Sequence, residues 1–513
     1  MANPTRRSVI AGGSAAVMAA LATDAGLHPA NAASLTRFEA SSNEGKAMLK
    51  IYAGAVGKMM EMDGTQPGHP LSWLFQWYTH GVKQPYTQPI STAFKGPEIA
   101  RIYPNAADPN RALAQTMWDT CTHYTSNQQP ALYFLPWHRM YVYYFEQIIR
   151  SISGKPEFTL PYWSYTDSGH HSLPPEFTME NDPVFKPLFR AQRKPGNNNG
   201  QPIDAGRPPF LNLNDMKFSV YVSSGPDGFC ANLDGNLHGN VHVNVGAQRP
   251  APDLGMTFVP TAANDPIFWL HHCNIDRIWA SWNKAGGANP NDSTFKGTTF
   301  TFADVNGRPE QRKVGDVLET SQLNYVYDTY LQRPPGSTPF PRPGGGRIAS
   351  FALHADTAPA ASGPVSLGPA PVTVTLTTHA VPELGGGKAA SFAAQLSNAL
   401  DARQLYVVLN NVQAHQSAGA SYAVYLNVPK DTAPAPDDPG YVGTLNFFSL
   451  HGGEHADHDG GITVAFPVTD VLKTLQQKQR AMNEPTVTLV PDGTYVPEAE
   501  PKIGNISLVS RRP

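Results

Sequence analysis

Residues 265–279, DPIFWLHHCNIDRIW, set two adjacent histidines inside an otherwise apolar run. A run of this kind goes to a core, where imidazole is costly unless it is hydrogen-bonded or bound to a metal. Asp265 stands as an N-cap and Pro266 at the first helical position, so the segment predicts a buried helix. One or both of His271 and His272 then need partners. Histidine recurs in similar settings. LHGNVH puts His238 and His242 four residues apart, so on a helix both rings leave one face. LPWHRMYVYYFEQIIR predicts a helix of about four turns opening near His138. LSWLFQWYTH spaces Trp73, Trp77 and His80 at i, i+4 and i+7. Four such helices packed together can turn histidines inwards on a metal.

A lone histidine on an apolar helix is more often a satisfied core residue; several helices each bringing one shift that balance. Imidazole-only donor sets suit copper, zinc, iron and nickel. No HExxH motif is present and no two-histidine, one-carboxylate pattern favours iron. The donor chemistry leans to copper. Three cysteines, Cys121, Cys230 and Cys273, cannot make a disulfide framework and include no zinc-type CxxC pair. At most one bridge, such as Cys230 to Cys273, is open to them.

The chain of 513 residues has room for two or three domains. Its net charge of −3 gives no electrostatic support to a nucleic-acid partner or a polybasic membrane contact. Residues 1–32 read as an export signal: Arg6-Arg7, a mildly apolar stretch, then Ala30-x-Ala32. The arginine pair points to the twin-arginine route, with general secretion as the alternative. The expected location is periplasmic or secreted. Residues 33–332 hold ten of the seventeen histidines and predict a mainly α domain, a four-helix bundle with long loops. A Pro/Gly-dense linker covers 333–347, where neither helix nor central strand can form. Residues 348–513 carry β-branched runs (APVTVTLTT, RQLYVVLNNV, SYAVYLNVP, GITVAFPVTDVL) parted by turn signals, which predicts an all-β sandwich. His451, His455 and His458 in HGGEHADHDGG, and the pair His170-His171, read as loop histidines.

FLPWHRMYVYYFEQIIR and NDPIFWLHHCNIDRIWASW resemble, in order, the two signature segments of the tyrosinase and polyphenol oxidase family, whose members carry a type-3 dicopper centre. LPYWSY at 160–165 and NYVYD at 324–328 resemble two further family segments. The resemblance implies two copper ions, with O₂ as co-substrate: His80, His123 and His138 for the first, His238, His242 and His272 for the second. His271 would be a packing or outer group, and Asp276 an acceptor orienting His272. His69 competes with His80, but its proline flanks in PGHP argue for a loop. Cys121, two before His123, matches a family pattern in which cysteine and histidine are joined by a thioether. The gaps from His80 to His123 and from His123 to His138 are longer than is usual in the family and hold loop-like sequence.

The resemblance further implies oxidation of small phenols, catechols leaving as o-quinones and monophenols first hydroxylated ortho to their OH. Asp234 stands where plant-type members carry a glutamate that holds a water for phenol deprotonation. Gly239 stands where several monophenol-active members have asparagine, and Val259 where some place a phenylalanine gate. Asp234, one methylene shorter than glutamate, and Gly239 favour an o-diphenol oxidase; the small Val259, which leaves the mouth more open, argues the other way, so monophenol hydroxylation stays open. The C-terminal segments YVGTLNFFSLH and FPVTDVL resemble the domain that covers the copper site of latent polyphenol oxidases, which implies activation by a protease at the linker. An O₂ carrier of the haemocyanin type, an o-aminophenol oxidase and a metal-free relative are the alternatives.

Overall fold

A computed structural model describes residues 34–83, 94–123, 130–222, 228–247, 255–340, 363–376, 400, 404–415, 418–448, 461–480 and 484–511. The expected export segment, residues 341–347 of the linker, and His451, His455 and His458 lie outside them.

The first part is helical around the histidines. Its main helices are α1 (Asn43–Thr65), α2 (Trp73–His80), α3 (Phe134–Ser153), α4 (Phe229–Leu233), α5 (Gly239–Val245) and α6 (Ile267–Lys284). A π-helical turn, Asp234–His238, joins α4 to α5. Ser72 caps α2 by accepting the amide of Phe75. Gly154 ends α3 in the left-handed region (φ 67°), where a side chain would be strained. At α6 the sequence places the cap one residue early. Pro266 is the N-cap, although the Asp265 side chain accepts the amide of Ile267; Asp265 is also in a buried ion pair with Arg193 (2.6 Å). α3 packs on both α1 and α6, and Phe145 of α3 stacks on Trp269 of α6 with centroids 3.5 Å apart.

Short strands tie the ends of this part together. β1 (Leu35–Arg37) pairs in parallel with β4 (Tyr325–Tyr327), and β2 (Thr299–Ala303) forms a hairpin with β3 (Pro309–Lys313). Arg37 of β1 and Arg139 of α3 converge on Asp276 of α6, which also accepts the hydroxyls of Tyr325 and Tyr327 (2.6 Å for Tyr327). Burial works against ionisation of Asp276, yet Arg139 and Arg37 hold its carboxyl below the usual range.

The second part is a β-sandwich of two four-stranded antiparallel sheets. β5 (Val365–Ser366), β7 (Gln404–Gln413), β10 (Ile462–Pro467) and β12 (Lys502–Arg511) form one sheet, in the order β10-β7-β12-β5. β6 (Val372–Thr375), β8 (Ala420–Leu426), β9 (Tyr441–Leu445) and β11 (Thr486–Gly493) form the other, in the order β6-β11-β8-β9. The first sheet is buried on both faces. Leu405, Val407 and Leu409 of β7 fill the sandwich interior, whereas Tyr406 and Val408 join the core of the helical part. Ala465 of β10 and Val509 of β12 do the same. The two-residue period of a strand thus feeds two cores at once, and explains why RQLYVVLNNV reads as a continuous apolar run.

The start of the expected linker is ordered against the helical part. Arg333 donates to the carbonyls of Met216 and Lys217 and lies over the Phe340 ring, which in turn meets Trp282.

Candidate metal centre

Six imidazoles converge in the first part. His80 ends α2, His138 lies in the first turn or so of α3, His238 closes the π-helical turn, His242 sits on α5 and His272 on α6. His123 comes from coil just before α3. All six are at most 3 % exposed. One ligand atom from each of His80, Cys121, His123 and His138 falls within 4.8 Å of the others. The same holds for His238, His242, His271 and His272. The two groups face each other: the His138 and His272 rings stack with centroids 4.2 Å apart, and those of His123 and His238 lie 5.5 Å apart.

Hydrogen bonds fix which nitrogen five of the six rings offer. His80 donates from Nδ1 to the carbonyl of Val259 (3.0 Å), His138 to that of Phe134 (2.8 Å) and His242 to that of Met256 (3.0 Å). His123 donates from Nδ1 to Asp234 Oδ1 (3.0 Å), and His238 donates to the same residue. A carbonyl or carboxylate can only accept, so Nδ1 carries the proton and Nε2 keeps its lone pair. Burial holds His80, His138, His238, His242 and His272 below the ordinary imidazole range, so the rings are neutral. Among the described residues, Nε2 of His80, His238, His242 and His272 has no hydrogen-bond partner. Four orphaned lone pairs on buried rings are costly on their own and are what a metal would satisfy. A neutral imidazole set with one adjacent soft sulfur fits copper.

The remaining expectations fall into place as follows. His69 is half-buried, away from both groups, and accepts the amide of Leu71. Cys121 is a free thiol whose Sγ lies 3.2 Å from His123 Nε2 and 3.3 Å from His138 Nε2. Cys230 and Cys273 are buried and not joined in a disulfide, so the bridge between them is absent. His271 stacks on His238 (centroids 5.2 Å), and both its ring nitrogens are unpartnered. Asp276 is not the acceptor for His272. Both its oxygens are taken by Arg37, Arg139, Tyr325 and Tyr327, and both nitrogens of His272 lack a partner. Val259 is buried and acts through its carbonyl on His80. His170 and His171 are loop residues that contact Ser164 and Asp204.

Three phenylalanines enclose the rings. Phe134 approaches His138 and His238 (4.7 Å each), and Phe268 approaches His80 (4.8 Å) and His272 (4.2 Å). The third is Phe448, from the sandwich. It stacks on His242 (4.0 Å, 12° between planes) and meets His123 and His238 edge-on. The sandwich is held there by polar contacts: Asn446 donates to the carbonyl of Gly235 (2.8 Å), Asn240 to that of Thr444 (2.9 Å), and Ala465 to the side chain of Asn232 (3.2 Å). Gly239 leaves room for this contact, since a Cβ there would collide with the Asn446 amide.

Comparison with known proteins agrees with this geometry. Residues 70–214 and 217–285 match the common central domain of tyrosinase, and 289–334 the polyphenol oxidase middle domain. Residues 354–511 match a domain of unknown function. The chain belongs to the tyrosinase and polyphenol oxidase family. It is an oxidoreductase of the phenol-oxidising, type-3 copper class. Among relatives, the tyrosinase HcTyr1 of Hahella sp. (strain CCB-MM4) is 29% identical over 489 residues, covering 90% of this chain and 96% of that one. The chloroplastic polyphenol oxidase of Malus domestica is 26% identical over 413 residues, covering 73% and 66%. The fold is shared with latent apple tyrosinase (TM-score 0.60, 22% identity, 94% of this chain and 98% of that one). It is shared also with a latent aurone synthase (TM-score 0.61, 19% identity, 95% and 91%).

Proposed function

We propose that this family member oxidises o-diphenols to o-quinones with O₂, at two copper ions held by His80, His123 and His138 and by His238, His242 and His272. The observation that carries the reading is the gathering of six buried imidazoles in two facing groups, four of them with an orphaned Nε2. Copper bound there would supply the paired one-electron changes that couple phenol oxidation to reduction of O₂. The chain's own part is to hold five of the six rings in one tautomer and to exclude water with Phe134 and Phe268. Catechol oxidation rather than monophenol hydroxylation is favoured by two features. The Asp234 carboxylate is engaged by two imidazoles, and Gly239 presents no side-chain amide. A thioether between Cys121 and His123 belongs to the same reading: Sγ sits beside Nε2, next to the ring carbon it would join.

The sandwich is read as a shield, with Phe448 as the residue that fills the mouth, and the chain as an exported protein with residues 1–32 as its signal. The domains are then 33–332 and 348–513. Because residues up to 340 are packed on the helical part, the activating protease would cut beyond them. Among the described residues no helix is long and apolar enough to cross a membrane, and the partners envisaged are small phenols and that protease. The test is oxygen consumption by copper-loaded chain, intact and cleaved beyond residue 340, with catechol, a monophenol and o-aminophenol. Catechol turnover that rises once the verified cleavage products are diluted apart is expected. Reversible O₂ binding without turnover would favour a carrier, and activity unchanged after cleavage and separation of the two fragments would remove the shielding role.

A further inference from the structure

Asp234 joins the two halves of the centre. Its carboxylate is fully buried. It opens the π-helical turn that ends at His238, a distortion that re-aims side chains and is often kept at functional sites. Oδ1 accepts from His123 Nδ1 at 3.0 Å and from His238 Nδ1 at 3.1 Å, and the Asp234 carbonyl also lies 3.1 Å from His238 Nδ1. The other anchored rings, His80, His138 and His242, donate to backbone carbonyls, which are neutral. One negative charge is thus shared by one ring of each trio. His123 depends on it most, since it is carried by coil rather than by a helix.

Resting on the dicopper reading above, we propose that Asp234 is the positioning residue common to both metals. It orients His123 for the first and His238 for the second, and its charge makes both rings stronger donors. A carboxylate that accepts from a ligand's second nitrogen fixes the ring and raises its basicity. With Oδ1 accepting from both rings, the carboxylate acts through the two ligands rather than as the base that takes a phenol proton. The competing role, a base or water holder at the substrate, makes the opposite demand on copper binding.

The experiment is titration of the full-length apo chain with Cu(I) against a competing chelator, for wild type, Asp234→Asn, Asp234→Glu and His242→Ala, with circular dichroism on each sample. Wild type should take up two copper ions. Asp234→Asn should weaken both by ~10–100-fold, whereas His242→Ala should weaken one. Asp234→Glu, which keeps the charge, should recover part of the loss at both. Wild-type affinity at either copper in Asp234→Asn overturns the proposal, and loss of monophenol turnover alone would assign the carboxylate to the substrate. Asp234→Glu no better than Asp234→Asn also counts against it. Wild type that binds fewer than two copper ions removes the dicopper reading itself, a result distinct from any of these.

Discussion

Phe448 lies far along the chain from every ring it touches, and it is the residue proposed to fill the mouth of the centre. Its ring is 1 % exposed and parallel to that of His242. Replacing a buried phenylalanine by alanine removes packing worth ~3–5 kcal/mol in protein interiors. Phe448→Ala in the intact chain should therefore raise catechol turnover several-fold without cleavage, while the cleaved form is unaffected. Equal turnover in intact wild type and variant would mean that the ring is not the obstacle. Helical spacing and an apolar setting mark His80, His138, His238, His242 and His272 in the sequence, whereas the grouping of six rings into two trios, with His123 on coil, came from the family resemblance. The Nδ1 acceptors of the rings were not legible. Val259, Met256 and Asp234 act on rings distant in sequence, two of them through a backbone carbonyl that leaves no trace in residue type. Phe448 was hidden for the same reason.

At the scale of elements, the helices that carry His138 and His272 are braced from behind. Asp276 ties α6 to α3 through Arg139 and to β1 through Arg37, with Tyr325 and Tyr327 of β4 closing the set. The sequence pattern placed Asp276 one turn beyond His272 and so suggested a bond between them. Periodicity gives the face of a helix, not the neighbour on it, and two buried arginines bind a carboxylate more strongly than a neutral ring does. Asp276→Asn keeps the shape and removes the charge, leaving Arg139 without its carboxylate. Breaking a buried pair in this way costs ~3–5 kcal/mol, against ~1 kcal/mol for loss of the Ser72 cap in Ser72→Ala. Chemical denaturation of the two apo variants should rank them in that order; equal losses would show that the network contributes little. The π-helical turn at Asp234–His238 was not legible either, since LDGNLHGNVH fits an ordinary helix equally well.

For the whole molecule, the seam between helical part and sandwich contains a titrating group. Asp215 accepts from Asn236 (2.9 Å) and from the amide of Leu237, beside a crevice lined also by Thr444 and Phe466 of the sandwich. Burial pushes its carboxyl up to about 7, against the lowering by these two donors. A carboxyl raised in the closed form favours that form when protonated. The stabilisation is full below the ordinary carboxyl range and is lost as pH rises to about 7. The intact chain should accordingly gain activity relative to the cleaved chain as pH climbs through this window, and Asp215→Asn should flatten the difference. A ratio independent of pH in wild type would exclude this coupling. The two-part plan was visible in the sequence from the Pro/Gly stretch and the switch of period, but not the docking of the parts, which depends on Asn446 entering the space left by Gly239.

The double-faced strand β7 adds one consequence. Tyr406 and Val408 belong to the helical core while their neighbours Leu405, Val407 and Leu409 belong to the sandwich. Scission of the backbone alone leaves all of these contacts intact. The product is a pair of fragments obeying mass action, so opening is a matter of dissociation, and dilution rather than the cut itself sets how much of the enzyme stands uncovered.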